Sequence, residues 1–147
     1  MKIKDILTLD RVVYNATVKS KKKAFELIAQ TFAYTAPQLN PNDIFDNLVE
    51  RERLGTTAIE HGVALPHCRL ENLPEAMGCF ILLKNGIDFD AQDKIPVRML
   101  FSLLVPSEAQ EVHLHLLGEI ARTFHVEAFR QDILNAKSKD DLFHILT

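Results

Sequence analysis

Apolar residues recur at helical spacing in two early stretches and run almost unbroken in two later ones, and this contrast predicts the layout of the chain. Ala24, Leu27, Ile28 and Phe32 fall on one side of a helix that Ser20 can cap. Ile44, Phe45, Leu48 and Val49 repeat the spacing in a second helix, with Asn40 as N-cap, Pro41 at the first helical position and a stop near Gly55. The stretch between them, Thr35 to Pro41, has prolines at 37 and 41 and reads as an ordinary loop. Further on, Ala76 to Leu83 and Val97 to Val105 are apolar with little alternation, the signature of interior strands. Asn85-Gly86 predicts a hairpin turn into a short alternating strand, Ile87 to Asp90. Gly62 to Leu65 is a further strand ended by Pro66, so His67 is expected where the chain leaves the sheet.

Ser107 and Gln110 predict a capping box for the next helix. On a wheel of about 100° per residue, Leu116, Leu117, Ile120 and Phe124 share one side. His113 lies near the middle of that side, a polar group aimed inward, whereas His115 points the other way among Glu108, Glu111, Glu119 and Arg122. A helix from Val126 to Ala136 and one capped by Ser138 complete the chain. Buried central strands need covering layers, which makes this an α/β chain with helices packed on its sheet.

With 147 residues, the chain fits one domain spanning 1–147. Its net charge of −3 gives no general attraction to nucleic acid or an anionic membrane. Cys68 and Cys79 lack any partner pattern and are expected as free thiols in a reducing compartment. Charges at Lys2, Lys4, Asp5 and Asp10 break any signal-peptide core, and no apolar run approaches the ~20 residues of a membrane span, so a cytoplasmic protein is expected. Lys19 and Lys21 to Lys23 oppose the dipole of the helix they begin, which leaves them a solvated face or a docking surface for an acidic partner. Glu50-Arg51-Glu52-Arg53 reads as a solvated last turn.

The candidate chemistry narrows by elimination. No G-x-S-x-G elbow occurs, and glycines at 55, 62, 78, 86 and 118 are too scattered for a phosphate loop. A zinc site from His61, His67 and His113, with Cys68, is arithmetically open but not favoured; His113 and His115 do not help it, because residues two apart on a helix face differently. No metal and no cofactor is expected. What remains is a pair of separated histidines with an arginine-bearing helix end, a set suited to carrying a phosphoryl group. A neutral imidazole can attack phosphorus, and a guanidinium can pair the charge of about −2 that results. The loose transition state asks mainly for positioning and charge stabilisation.

Arg51-Glu52-Arg53-Leu54-Gly55-Thr56-Thr57, followed by Gly62-Val63-Ala64-Leu65-Pro66-His67, resembles the phosphorylation-site region of the mannitol/fructose-type enzyme IIA domains of the bacterial phosphotransferase system. The similarity extends through Phe101 to Pro106 and His113-Leu114-His115 to the last helix, and is strongest to the nitrogen-regulatory branch. The resemblance implies a mixed β-sheet flanked by helices and a phosphotransferase acting through a histidine intermediate. It makes His67 the phosphoacceptor, His113 the second imidazole and Arg51 a phosphoryl-binding residue. It implies an HPr-type phosphocarrier protein as donor, and a regulatory target, either transporter or sensor kinase, or a IIB protein as acceptor. No IIB or IIC segment is attached, which favours a regulatory output. The alternatives are a sugar-transport IIA that passes its phosphoryl to a fructose- or mannitol-type IIB, and a regulatory binding module without onward transfer. The chain departs from the family pattern at Glu60, His61 and Cys68.

Overall fold

The sheet is assembled on one strand, β5 (Val97–Pro106), in a computed structural model that describes residues 1–108 and 110–147. Strand β4 (Met77–Ile87) pairs antiparallel along one side of β5, and β1 (Val12–Ala16) pairs parallel with the far side of β4. Along the other side of β5 run β2 (Val63–Ala64) and β3 (His67–Leu70), both parallel to it. The sheet is therefore mixed.

Alternation along β5 divides the core in two. Met99, Phe101, Leu103 and Val105 face Leu116, Ile120 and Phe124 of α4 (Glu111–His125), with Ile133 of α5 (Glu127–Leu134) and Leu142 and Leu146 of α6 (Lys139–Leu146). Leu100 and Leu104 face Ala24, Phe25, Ile28 and Phe32 of α2 (Lys21–Thr35) and Ile44 and Leu48 of α3 (Pro41–Arg53). Ser20 caps α2 by accepting from the Lys23 N–H, Asn40 caps α3 from Asn42, and Ser138 caps α6 from Asp141. Among the described residues no helix is long and apolar enough to cross a membrane.

Several sequence expectations change. A short helix α1 (Ile3–Ile6) and β1 precede Ser20, where no element is expected; the buried Arg11 fixes them, donating from Nε to the Gly78 carbonyl at 2.8 Å and from Nη2 to the Ile6 carbonyl at 2.9 Å. Asn85-Gly86 is not a turn but lies within β4, and Ile87 to Asp90 is not a partner strand. The reversal comes later, at Asp90 and Lys94, both with left-handed φ. Its cause is Phe89, which is 1% exposed and packs edge-on against Phe25 with ring centroids 5.7 Å apart. Nor does the chain leave the sheet at Pro66, because the Pro66 carbonyl accepts from the Leu103 N–H at 3.0 Å and holds the chain along β5. His67 begins β3. Helix α4 starts three residues later than a Ser107 cap requires, at Gln110, and the box there is formed by Gln110 and His113.

Gly86 has a steric function in this layout. A Cβ there would meet the Pro96 Cβ at 2.6 Å. Gly86→Ala is therefore expected to destabilise the fold by about 1–3 kcal/mol through overpacking. The check is the urea midpoint at unchanged m-value; an unaltered midpoint rules out this contact.

Candidate functional site

The site begins where α3 ends. Glu52, in the last turn, is 9% exposed, and its carboxylate accepts from the backbone N–H and the hydroxyl of Thr57. Lys21, at the start of α2, donates to the same carboxylate at 3.1 Å and reaches Asp90 at 3.3 Å. The Lys21 ammonium also lies 4.6 Å from the centroid of the Phe89 ring. Thr56 donates its hydroxyl to the Phe89 carbonyl at 2.8 Å. One buried carboxylate thus fastens the loop that leads from the arginine-bearing helix end to β2. Neither Glu52 nor Lys21 is the solvated residue that the local charge pattern predicts, because the two pair with each other across thirty-one positions and Thr57 closes on the same carboxylate.

Arg51 precedes Glu52 and points to the other side of the helix end, where its Nη1 donates to the Gly55 carbonyl at 2.8 Å. With His67 and His113 it lines one open depression of about 480 Å³, walled also by Asn47, Glu50, Leu54, Arg69 and Leu114. Arg69 was not singled out by sequence reasoning. The signal was available, since residues two apart on a strand share a face and His67 and Arg69 bracket Cys68 on β3.

The two imidazoles are held in opposite tautomers. His67 Nδ1 lies 2.8 Å from the Leu65 carbonyl oxygen, which can only accept, so Nδ1 carries the hydrogen and Nε2 keeps a free lone pair. His113 Nδ1 lies 3.0 Å from the Gln110 backbone nitrogen, whose N–H can only donate, so Nδ1 accepts and the hydrogen sits on Nε2. One ring presents a free lone pair and the other a hydrogen-bond donor. Burial, offset in part by the Leu65 carbonyl and reinforced by the Arg51 charge, holds the His67 ring below the ordinary imidazole range. It is neutral near pH 7.

The remaining candidates fall elsewhere. His115 is exposed and lies 3.8 Å from Glu111. Cys68 packs against the α2 and α3 core, and burial pushes its thiol up to about 12. His61 does not join His67 or His113; its ring is 6.0 Å from that of His125, at the other end of α4. The zinc grouping left open by residue arithmetic is therefore not formed.

The family model described as phosphoenolpyruvate-dependent sugar phosphotransferase system, EIIA 2, matches residues 5–147. The chain is 38% identical over 146 residues to a nitrogen regulatory protein of Pseudomonas aeruginosa, covering 99% of this chain and 95% of that one. Among solved structures it is similar to the nitrogen regulatory protein IIA-Ntr of Neisseria meningitidis, with a TM-score of 0.92, 36% identity and 99% of both chains covered. The mannitol IIA of Escherichia coli superposes with a TM-score of 0.78 at 13% identity, covering 95% of this chain and 98% of that one, which extends the likeness of fold. The chain belongs to the EIIA 2 family of the phosphotransferase system, and its family and nitrogen-regulatory relatives support a phosphocarrier function.

Two measurements test the site's construction. Glu52→Ala leaves the Thr57 N–H and the Lys21 ammonium without their shared partner and is expected to cost about 2–4 kcal/mol by urea denaturation. The His67 ring should titrate below 6.5 by NMR, and Arg51→Ala should move its midpoint upward. Because the folded value is depressed, the unfolded chain binds the proton first. The His67 contribution to stability is therefore complete above about pH 6.5 and is lost as pH falls toward the folded value. A midpoint at or above 6.5 contradicts the burial and charge assigned to the ring.

Proposed function

We propose that this member of the EIIA 2 family is a phosphohistidine carrier that takes a phosphoryl group on Nε2 of His67 from an HPr-type phosphocarrier, with a regulatory output of the nitrogen-branch kind. The observation that carries the reading is the pair of opposed tautomers in one open depression, a free lone pair on His67 and an N–H on His113. In the transfer, the His67 Nε2 lone pair forms a bond to phosphorus as the bond from phosphorus to the donor's imidazole nitrogen breaks, and the donor ring leaves with that electron pair. No water is consumed. The hydrogen stays on Nδ1, donated to the Leu65 carbonyl throughout, and this hydrogen bond supports the charge that builds on the ring.

The phosphoryl oxygens gain three kinds of partner. Arg51 and Arg69 supply guanidinium charge, His113 Nε2 supplies a neutral donor, and the α4 N-terminus adds a favourable dipole of about 0.3–1 kcal/mol. These groups serve an incoming and an outgoing phosphoryl alike, as a carrier requires. The openness of the depression admits a protein donor, and exposed Leu54 and Leu114 at its rim, 85% and 63% accessible, offer apolar contact to one. The regulatory output rests on similarity to the nitrogen regulatory proteins of Pseudomonas aeruginosa and Neisseria meningitidis, and the acceptor is then a transporter or sensor kinase whose affinity changes with the charge on His67.

Incubation with phosphoenolpyruvate, enzyme I and the phosphocarrier should add one acid-labile phosphoryl group, with a ³¹P signature of the Nε2 isomer. His67→Ala should take none. Arg51→Ala should slow labelling by about 10²-fold, as for loss of one charge-stabilising donor, and Arg51→Lys should recover part of it. Full labelling of His67→Ala overturns the acceptor assignment; transfer from the labelled protein to a IIB protein at the rate of its own labelling overturns the regulatory output.

A further inference from the structure

A second cluster of donor side chains lies away from this depression. Glu60, His61 and His125 each place one ligand atom so that all three lie within 4.8 Å of one another. Glu60 Oε2 and His61 Nε2 are already 3.5 Å apart, close to the ligand-to-ligand edge of about 3.3–3.5 Å that a tetrahedral zinc ion with nitrogen and oxygen ligands demands. Bringing His125 to the same separation takes a side-chain movement on the order of 1 Å by exposed groups. Nothing in the phosphoryl site uses Glu60 or His61.

The backbone under these residues is fixed from both sides. His61 has a left-handed φ of 66°, held by Asp93 Oδ2, which accepts its N–H at 2.9 Å. Gly62 follows, and its carbonyl accepts from the Arg98 and Met99 N–H groups of β5. His125 ends α4, and its carbonyl accepts from Nη1 of the buried Arg130 at 2.8 Å. The imidazoles therefore project from anchored chain ends toward each other. The charge around them is mixed and favours a cation: Glu60 and Asp93 are acidic, while Arg122, the nearby base lining the same depression, is paired with Glu119.

We propose that Glu60, His61 and His125 form a binding site for a divalent transition-metal ion of the zinc class, with three protein ligands and an open position for water. Imidazole ligands select such ions over magnesium or calcium, which take oxygen donors. The bound ion links the loop before β2 to the C-terminal end of α4. Its distance from the phosphoryl site is set by the helix itself: twelve residues at 1.5 Å each separate His125 from His113 by about 18 Å. The inference is thus independent of the proposed function.

The test is calorimetric titration of the full chain with zinc chloride in a non-chelating buffer at neutral pH, with thermal melts of the same samples. One equivalent should bind and raise Tm, the rise growing with the logarithm of the free zinc concentration above Kd. His61→Asn, which suits the left-handed backbone, and His125→Gln should each weaken binding by more than the roughly 10–100-fold typical of losing an outer-shell partner, and both should abolish the Tm rise. Glu60→Gln should weaken it as well. His67→Ala should bind zinc unchanged. Absence of saturable binding, or unaltered affinity in His61→Asn and His125→Gln, overturns the site; loss of binding in His67→Ala instead assigns the ion to the phosphoryl-site histidines and overturns it equally.

Discussion

The carboxylate of Glu52 is the constraint on which the depression lined by Arg51, His67 and His113 depends. It lies in a core-facing position where an unpaired charge would be intolerable, and it has three donors: the Thr57 N–H, the Thr57 hydroxyl and the Lys21 ammonium. They come from two places, Thr57 in the loop after α3 and Lys21 in the first turn of α2. Burying a charge is costly, so the carboxylate is stable only when all of these meet, and that requirement sets the end of α3 and the path of the chain into β2. Arg51 is held next to it, and because the two side chains leave the helix in different directions, the anchor faces the core while the guanidinium faces the depression. Lys21, placed over the Phe89 ring, ties the same anchor to the reversal between β4 and β5.

Tautomer control follows from the backbone rather than from any third side chain. Two residues before His67 lies the Leu65 carbonyl, and three before His113 lies the Gln110 N–H. Pro66 between Leu65 and His67 restricts the first geometry, since it fixes φ and offers no N–H of its own. A helix start produces the second, because the first N–H groups of α4 have no intrahelical acceptor and an imidazole at the third position can take one. The two rings differ chemically for reasons that are local in each case, and they become complementary only because β3 and α4 bring them to the same depression.

This explains which parts were legible in the sequence. The helices α2, α3 and α6 are encoded by apolar spacing and cap residues within single stretches, and Ser20, Asn40 and Ser138 cap them as expected. The wheel that turned His113 and not His115 inward likewise uses only α4. Long-range partners were not legible. Glu52 in a run of alternating charge looks solvated until Thr57 and Lys21 are placed around it, and Asn85-Gly86 looks like a turn until Phe89 is seen to need a place against Phe25. Strand β1 was missed because five residues carry too little pattern of their own, and their pairing with β4 is set by residues nearly seventy positions away. His61 failed to join His67 for the same reason: its partner, His125, lies at the end of a helix whose packing no local pattern reveals.

Alternation along β3 decides which of two adjacent side chains, imidazole or thiol, faces the depression. His67 and Cys68 are neighbours, and thiolates are the stronger nucleophiles, so a strand displaced by one residue would put sulfur in the depression and imidazole in the core. The register His67 with Leu103 and Cys68 with Leu104 prevents this. Leu103 faces the α4 side of the sheet and Leu104 the α2 and α3 side, so Cys68 packs among apolar side chains, where its thiol stays protonated with a pKa of about 12. A buried thiol of this kind is inert, while the imidazole beside it remains neutral and accessible. The Pro66 carbonyl, by holding the chain on β5 through the break between β2 and β3, supports that register and with it the side of the sheet on which His67 lies.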